Sequence, residues 1–237
     1  MRLAFLSDIH GNSIALEAAL EDLRKRRTDH IFVLGDICFR GPNPQKCLQL
    51  VQSLNATVIK GNADEWIIRG IKEGEVPNCD FAMMQQEREW ACSRLDEESI
   101  HYLKHLPAEI EQSYDGMKLH AFHAAPDNLF DVIQSNEEEK IISTLMKKEA
   151  DVYVYGHIHR SYIKYLNGKC VVNIGSIGLP FDGLNKASYA LLDIEDAAVQ
   201  ASIIRVRYDI NKVIEQWAQS DYPNKEKMIN IVQNGRL

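Results

Sequence analysis

Five short segments of the sequence carry side chains that bind metal ions, and each follows an apolar run. They are Asp8-Ile9-His10, Gly35-Asp36, Gly61-Asn62, His123, and Gly156-His157-Ile158-His159. Imidazole nitrogens bind several first-row transition metals, and carboxylates add hard oxygen donors. A hydrolytic pair of divalent metals needs a carboxylate that bridges both ions, further ligands for each ion, and open positions for water and substrate. The donors in these segments supply that inventory.

Each segment alone is a weak signal, because D-x-H and H-x-H tripeptides are frequent by chance. A single histidine is also more often structural than a ligand. The ordered set is stronger, since all five segments come at the ends of predicted strands. In open α/β sheets, functional sites form outside the carboxyl ends of the strands. We therefore expect the five segments to converge on one site.

The net charge of the chain limits its partners. With 237 residues and a net charge of -7, the chain lacks the positive surface that extended nucleic-acid binding requires. Two divalent ions would outweigh the charge of two aspartates, so the site itself would attract an anion. A small phosphorylated substrate is therefore compatible with an acidic protein.

Nothing in the sequence indicates a membrane or secretory segment. The apolar run at the N-terminus stops at Leu6 and Asp8 follows, which is atypical of a signal peptide. No apolar run approaches the roughly 18 residues of a membrane span. The five cysteines are scattered and form no C-x-x-C pair, which is typical of a cytosolic protein with reduced thiols. We predict a cytoplasmic protein that makes no membrane contact.

Alternating strands and helices position the first three segments. Apolar runs predict strands over 2–7, 30–34 and 56–59. A helix over about 13–27 follows from the spacing of its apolar residues, and a second helix ends near 54. The order strand–helix–strand–helix–strand implies a parallel α/β sheet.

The rest of the chain is helical at first and then rich in strands. Helical character extends over about 65–106. Strands are then predicted on either side of two turns, Asp115-Gly116 and Asn167-Gly168. The remaining predicted elements are a helix over 137–148, strands over 152–155, 187–194 and 201–208, and a closing helix from about 210. No linker divides the chain, so we predict one domain over 1–237 with a helical insert at about 65–106.

The ordered segments resemble those of the calcineurin-like metallophosphoesterases. That family has the pattern D-x-H, G-D-x-x-D-R-G, G-N-H-[DE], a lone histidine and G-H-x-H. The chain looks closest to the prokaryotic small phosphoesterase branch, which includes phosphodiesterases. The specific features are S-D-I-H-G-N at 7–12, G-P-N-P at 41–44 and N-I-G-S-I-G-L-P at 173–180. The resemblance extends over about 2–192.

The resemblance implies a fold, a pair of metals and an activity. The fold is α/β, a two-sheet β-sandwich flanked by helices on both faces, in four αββα layers. One metal would be held by Asp8, His10, Asp36 and His159, and the other by Asp36, Asn62, His123 and His157. The ions are two divalent transition metals, with manganese expected first and iron, zinc, nickel or cobalt as alternatives. The implied reaction hydrolyses a phosphodiester or an activated phosphomonoester through a metal-bridging hydroxide.

Three departures from the family pattern bear on catalysis. Ala63 replaces the histidine of G-N-H-[DE], and Phe39 replaces the second aspartate of G-D-x-x-D-R-G. The third, Ala124-Ala125 after His123, still permits a tight turn. General acid–base help contributes roughly 100- to 10,000-fold, so the loss of the histidine favours good leaving groups.

Further residues are expected near the substrate. Arg40 is either a phosphate ligand or a surface residue, because arginine suits bidentate phosphate contact. Asn12 either reaches the phosphate or caps the first helix. Together with the metal ligands Asp36 and Asn62, Arg40 is assigned to catalysis, and Asn12, Arg40 and Asn62 are assigned to substrate binding.

Two alternative functions remain open at this point. Relatives that share these motifs include protein phosphatases and dinucleoside polyphosphate hydrolases. A non-catalytic protein-interaction scaffold on the same fold is a further alternative, although such a protein is expected to have lost metal ligands. The histidines outside the motifs are interpreted as structural or exposed: His30, His101, His105 and His120.

Overall fold

The first of two β-sheets contains the strands that precede Asp8, Asp36 and Asn62. The computed structural model describes residues 1–237. In this sheet the strand order is β10-β9-β1-β2-β3, and β1 pairs in parallel with β2, as β2 does with β3. The strands are β1 (Arg2–Leu6), β2 (His30–Val33), β3 (Ala56–Val58), β9 (Ala187–Glu195) and β10 (Ala198–Val206). The predicted parallel start of the chain is thus observed, with two antiparallel strands added at one edge.

The second sheet contains the strands that precede His123 and His157. Its order is β4-β5-β6-β8-β7, with β5, β6 and β8 parallel to one another. The strands are β4 (Glu109–Tyr114), β5 (Met117–Phe122), β6 (Val152–Tyr155), β7 (Tyr162–Leu166) and β8 (Lys169–Asn173). Both predicted hairpins form, and Asp115-Gly116 and Asn167-Gly168 take the positive φ angles that tight two-residue turns require.

Side chains on alternate faces of each strand pack against the other sheet on one side and against helices on the other. Leu3 and Phe5 of β1 pack against the second sheet, in a cluster that includes Leu119 and Val154. Ala4 and Leu6 point to the opposite side, into a cluster formed with the helices. Because both faces of β1 are buried, the strand reads as a continuous apolar run rather than an alternating one.

Helices cover the outer face of each sheet and complete the αββα layers. On the first sheet lie α1 (Ser13–Arg26), α2 (Pro44–Gln52), α3 (Asn62–Arg69), α4 (Asn78–Cys92) and α5 (Glu97–Lys104). The second sheet is covered by α6 (Glu138–Lys140) and a π-helical turn over Ile141–Leu145. Two further helices, α7 (Ile210–Gln219) and α8 (Lys225–Asn234), pack on each other around Trp217. The predicted fold class is confirmed.

Two predicted helices differ in the structure. The helix expected over 137–148 is only α6 and the π-helical turn, since Ile141 and Leu145 are its only buried side chains. The closing helix is two helices, because Pro223 lacks the amide hydrogen that a continuous helix needs and disfavours helical backbone before it.

The longest helix, α4, has 15 residues, and none is long and apolar enough to cross a bilayer. The single-domain assignment stays a prediction.

The packing between the sheets predicts a large loss of stability on truncation of Phe5. Its ring is fully buried and stacks on Phe32 with centroids 4.6 Å apart. Phe5→Ala should lower the free energy of unfolding by about 3–5 kcal/mol, measured from urea midpoints at unchanged slope. Tyr165→Ala is the control, because that side chain is 61% exposed, and it should change stability by less than about 0.5 kcal/mol. A loss below about 1 kcal/mol for Phe5→Ala would contradict the packing described.

Candidate metal centre

The carboxyl ends of five parallel strands bring the predicted ligands together. Asp8 and His10 follow β1, Asp36 follows β2, Asn62 begins α3 after β3, His123 follows β5, and His157 and His159 follow β6. Six of these side chains are buried, and that of His157 is partly exposed. The structure thus assembles at one edge of the sandwich all seven residues that the sequence analysis selected as ligands.

The first group of donors consists of Asp8, His10, Asp36 and His159. Their ligand atoms all lie within 4.8 Å of one another. His159 Nε2 is 3.0 Å from Asp8 Oδ1 and 3.1 Å from His10 Nε2. His10 Nε2 is in turn 3.6 Å from Asp36 Oδ2. Four atoms with lone pairs therefore face a common point.

Backbone carbonyls fix the tautomers of three histidines. His10 Nδ1 lies 2.7 Å from the carbonyl oxygen of Phe39, and His123 Nδ1 lies 2.7 Å from that of Leu34. His159 Nδ1 makes the equivalent contact with the Leu179 carbonyl. A carbonyl oxygen only accepts, so each Nδ1 carries a hydrogen, and any of these rings that is neutral presents a lone pair at Nε2. Donation of the other ring N–H to a carbonyl is the usual support of a metal-binding histidine.

The second group surrounds the amide oxygen of Asn62. His123 Nε2 and His157 Nδ1 are each 2.9 Å from Asn62 Oδ1. His123 Nε2 is also 3.5 Å from Asp36 Oδ1. Burial alone would lower the pKa of His123, but the facing Asp36 and Asp8 carboxylates outweigh burial and raise it. Nε2 of His123 therefore meets these oxygens as a lone pair when the ring is neutral and as a donor when it is protonated. Either a proton on His123 or a bound metal ion supplies the positive charge that this group favours.

Asp36 belongs to both groups through different oxygen atoms. Oδ2 faces His10 of the first group and Oδ1 faces His123 of the second. The amide of Ala63 donates to Oδ1 at 2.8 Å and holds the carboxylate in this orientation. One carboxylate is thus placed to contact ions in both groups.

The donor chemistry and protonation of the site fit divalent cations. Asp8 Oδ1 is buried and accepts no hydrogen bond. Burial lowers the pKa of His10 and of His157 to about 3, so both rings are neutral ligands near pH 7. Burial also raises the pKa of Asp36 to about 7, so cation binding would displace a proton from this carboxyl group. A mixed set of nitrogen and oxygen donors suits several first-row metals.

The backbone of the ligand loops is strained. Five of the ligands have positive φ: Asp8 at 54°, His10 at 47°, Asp36 at 53°, His157 at 65° and His159 at 55°. Residues other than glycine rarely adopt this region, and each costs on the order of 1–3 kcal/mol. Such strain persists only where the surrounding structure determines the backbone, and it clusters at functional sites.

Gly41 of the G-P-N-P segment at 41–44 and Gly178 of the N-I-G-S-I-G-L-P segment at 173–180 allow these loops to pack closely. A Cβ atom on Gly41 would lie 1.6 Å from the carbonyl oxygen of His10, and one on Gly178 would lie 1.8 Å from that of Ile9. Both segments therefore lie in direct contact with the loop that carries Asp8 and His10. We infer that the two family motifs are needed for the conformation of this ligand loop.

Asp64 has a supporting role that the sequence analysis missed. Its fully buried carboxylate accepts hydrogen bonds from the amides of Asp36 at 2.7 Å, Ile37 at 2.9 Å and Gly61 at 3.0 Å. It thereby ties the loop after β2 to the start of α3. The signal in the sequence was its position three residues after Gly61, which is the capping-box spacing.

A cleft of about 160 Å³ opens over the donors. Apart from the ligands, it is lined by Phe39, Arg40, Ala63, Trp66, Leu179 and Phe181. Phe181 stacks on the ring of His159, with centroids 4.2 Å apart. Arg40 thus lies at the cleft, as one of its two interpretations requires. The helical insert forms part of the wall through Trp66.

Asn12 does not reach the cleft. Its Oδ1 accepts from the amide of Ala15 at 3.1 Å, and its Nδ2 donates to the carbonyl of Gly178 at 3.0 Å. The side chain is 2% exposed. The structure therefore supports the helix-cap interpretation, because both polar atoms of the amide are engaged within the fold.

Comparisons with known proteins agree with the geometry. A profile of the calcineurin-like phosphoesterase superfamily domain matches residues 1–197. The chain is 30% identical to an uncharacterized protein of Methanocaldococcus jannaschii, with 93% of each chain covered. It is 26% identical to the phosphodiesterase YfcE of Escherichia coli strain K12, over 85% of this chain and 92% of that one. A crystal structure of a metallophosphoesterase from Sphaerobacter thermophilus superposes with a TM-score of 0.81, at 26% identity and 99% coverage of both chains.

The depressed histidine pKa values predict the titration of the metal-free protein. His10 and His157, each with a pKa of about 3, should remain neutral from pH 8 to pH 5 in NMR spectra of their rings. In the urea-unfolded chain the same rings should titrate near about 6.5. The unfolded state then binds protons that the folded state does not, so these two residues lower the free energy of unfolding as pH falls from about 6.5 toward 3. A folded-state titration near pH 6 to 7 for either ring would show that the donors are not arranged as described.

Proposed function

Because the chain belongs to the calcineurin-like phosphoesterase superfamily, we propose that it is a metal-dependent enzyme that hydrolyses a phosphodiester or an activated phosphomonoester. The observation that carries the proposal is the Asp36 carboxylate, whose two oxygens face two separate groups of lone-pair donors at 3.6 and 3.5 Å. A bridging carboxylate of this kind is what a two-metal hydrolytic site requires.

The ligands divide between two divalent ions as the donor groups suggest. Asp8, His10, Asp36 and His159 would hold one ion, and Asp36, Asn62, His123 and His157 the other. When bound, two such ions neutralise charge on a phosphate and lower the pKa of water toward about 7. Manganese is proposed first, with iron, zinc, nickel and cobalt as alternatives, because mixed nitrogen and oxygen sites accept all of them.

Arg40 is proposed to bind the non-bridging oxygens of the phosphate. Its Nε donates to Glu87 at 2.8 Å, and neither Nη atom has an acceptor in the protein. The guanidinium group carries a permanent charge and a planar set of donors that matches phosphate geometry. Arg40 therefore supplies positive charge at the cleft that would stabilise a bound phosphate.

Apart from the proposed metal ligands, the cleft holds no side chain that can protonate a leaving group. Among its lining residues other than the ligands, only Arg40 and Trp66 carry side-chain N–H groups. Arginine does not release its proton in proteins, and the indole N–H of Trp66 is donated to Glu75 at 3.0 Å. Phe39 and Ala63 replace the polar residues of the family pattern with apolar ones. The substrate proposed is therefore one whose leaving group departs as a stable anion, such as an aryl phosphate or an activated diester.

The similarity to YfcE of Escherichia coli, a phosphodiesterase, supports a diester as the first substrate class to test. Phosphoproteins and dinucleoside polyphosphates are the alternative substrates. A non-catalytic scaffold on the same fold is disfavoured by the complete set of seven donors, six of them buried, because a scaffold does not need these side chains to converge.

Removal of the shared carboxylate should weaken both metal sites. Asp36→Asn keeps the shape of the side chain but loses its charge, so manganese bound per chain should fall from two ions to fewer than one in elemental analysis and calorimetry. Hydrolysis of bis-(4-nitrophenyl) phosphate should fall by at least about 100-fold, comparable to the loss of one oxyanion donor, and chelator should abolish it in the unchanged protein. His101→Ala, on the exposed side of α5, is the control and should bind two ions. Two ions in Asp36→Asn, or chelator-resistant activity, would refute the proposed mechanism.

The lack of an acid beside the ligands predicts a strong dependence of the hydrolysis rate on the leaving group. Across a series of diesters, kcat/KM should fall steeply as the pKa of the leaving alcohol rises, because nothing protonates it. Ala63→His introduces an acid at the cleft and should make the slope shallower, with gains of up to about 100-fold for poor leaving groups. Ala63→Gln is the matched control, since it adds similar bulk without a group that titrates near neutral pH. A flat slope in the unchanged protein would mean that another acid is present.

A further inference from the structure

We propose that Glu87 positions Arg40 for phosphate binding, and that the two C-terminal helices hold Glu87 in place through Asn224. The inference rests on the proposed function, in which Arg40 contacts the phosphate. It assigns a role in the site to Glu87 in the helical insert and to Asn224 near the end of the chain.

Glu87 is a fully buried carboxylate with two partners. It lies on α4 and is 0% exposed. Oε2 accepts from Arg40 Nε at 2.8 Å, and Oε1 accepts from Asn224 Nδ2 at 2.9 Å. A buried carboxylate is stable only when it is paired and hydrogen-bonded. Each oxygen of Glu87 therefore depends on one of these contacts.

The contact with Glu87 fixes the direction of the Arg40 side chain. A guanidinium group is planar and rigid, so holding Nε sets where both Nη atoms point. The Arg40 backbone has a φ of 64°, and its guanidinium lies 5.6 Å from the centre of the Phe39 ring. The side chain, 20% exposed, is held on its Nε side and open to the cleft on the other. Without Glu87, this long side chain would gain many rotamers.

Asn224 is committed to Glu87 rather than to its own helix. It precedes α8 but makes no capping hydrogen bond with its side chain. The same region packs on α4 through Trp90, Trp217 and Tyr222, whose rings lie 4.5 to 6.5 Å apart. A second polar contact, from Asn43 Nδ2 to Gln216 Oε1 at 2.7 Å, joins α7 to the turn after Arg40.

These helices lie outside the part of the chain that the family profile matches, which ends at residue 197. Asn224, in the segment between them, nevertheless contacts Glu87, the residue that orients an arginine of the cleft. An ion pair that served only stability could be replaced by apolar residues at little cost. Its placement, with one charge on the cleft and the other buried behind it, points to positioning.

The test compares single and double variants of the manganese-loaded protein. Arg40→Ala should lower kcat/KM about 100- to 1,000-fold, and Glu87→Gln about 10- to 100-fold through misplacement of the guanidinium. The double variant should be no worse than Arg40→Ala alone, because Glu87 acts only through Arg40. The affinity for inorganic phosphate, measured by calorimetry, should fall in the same order, while manganese affinity stays unchanged.

Two further variants separate positioning from general packing. Asp221→Ala removes the acceptor of Arg94 at 2.6 Å and of Trp90 at 2.7 Å between the same two parts of the molecule, and should leave activity and phosphate affinity unchanged. Glu87→Gln combined with Asn224→Asp lets the new amide donate to the new carboxylate while its oxygen still accepts from Arg40. This pair should recover part of the lost phosphate affinity.

The possible outcomes are distinct. Phosphate affinity and kcat/KM that are unchanged in Glu87→Gln, or a double variant with additive losses, would overturn the inference. If Glu87→Gln does not fold, Asn224→Ala decides by the same measurements, since no cap is lost. If the unchanged protein hydrolyses no ester but binds phosphate, the proposed function fails, while a loss of phosphate affinity in Glu87→Gln would still support positioning. If the unchanged protein binds no phosphate, the inference is refuted as well.

Discussion

Buried nitrogen and oxygen atoms with lone pairs, which face one another in two groups, are the constraint on which this structure depends. Three histidines give their Nδ1 hydrogens to backbone carbonyls and turn Nε2 toward other acceptors. The first group closes to 3.0 Å between His159 and Asp8, and the second to 2.9 Å around Asn62. In each group, buried acceptor atoms lie close together without water around them, which costs free energy. In the proposed function, divalent ions would offset this cost by binding to those atoms, and this would account for the number of acceptors in the interior.

The rest of the molecule holds these acceptors in place. Five ligands lie in left-handed backbone, a conformation that short loops between strand and helix adopt only under pressure from their neighbours. Glycine turns at 41 and 178 press on the loop after β1, and Asp64 collects three amides from the loops around Asp36. Two sheets are needed because neither alone brings enough strand ends to one edge. The helical insert supplies Glu87, which contacts Arg40, and the C-terminal region supplies Asn224, which contacts Glu87.

Much of this arrangement could be predicted from the sequence, because the ligands follow apolar runs and parallel strands end at a common edge. The resemblance to the calcineurin-like metallophosphoesterases, which the order of the segments carries, implied both donor groups and the shared role of Asp36. What could not be predicted depends on contacts between distant residues. Glu87, the partner of Arg40, is 47 residues away in the sequence, and Asn224, the partner of Glu87, is a further 137 residues away. The local sequence pattern also could not predict the tautomers of the histidine rings, because these are determined by backbone carbonyls 20 to 89 residues away. Asn12 shows the converse, because its simplest local interpretation, a helix cap, is the one the structure contains.

The central claim is that two ions share the Asp36 carboxylate. A crystal structure of the manganese-loaded protein, with data collected at an energy where manganese scatters anomalously, tests this claim most directly. The account predicts two anomalous peaks about 3.5–4 Å apart, one contacted by Asp36 Oδ2, His10 and His159, and the other by Asp36 Oδ1, Asn62 and His123. A single peak, or two peaks that do not share Asp36, would contradict it.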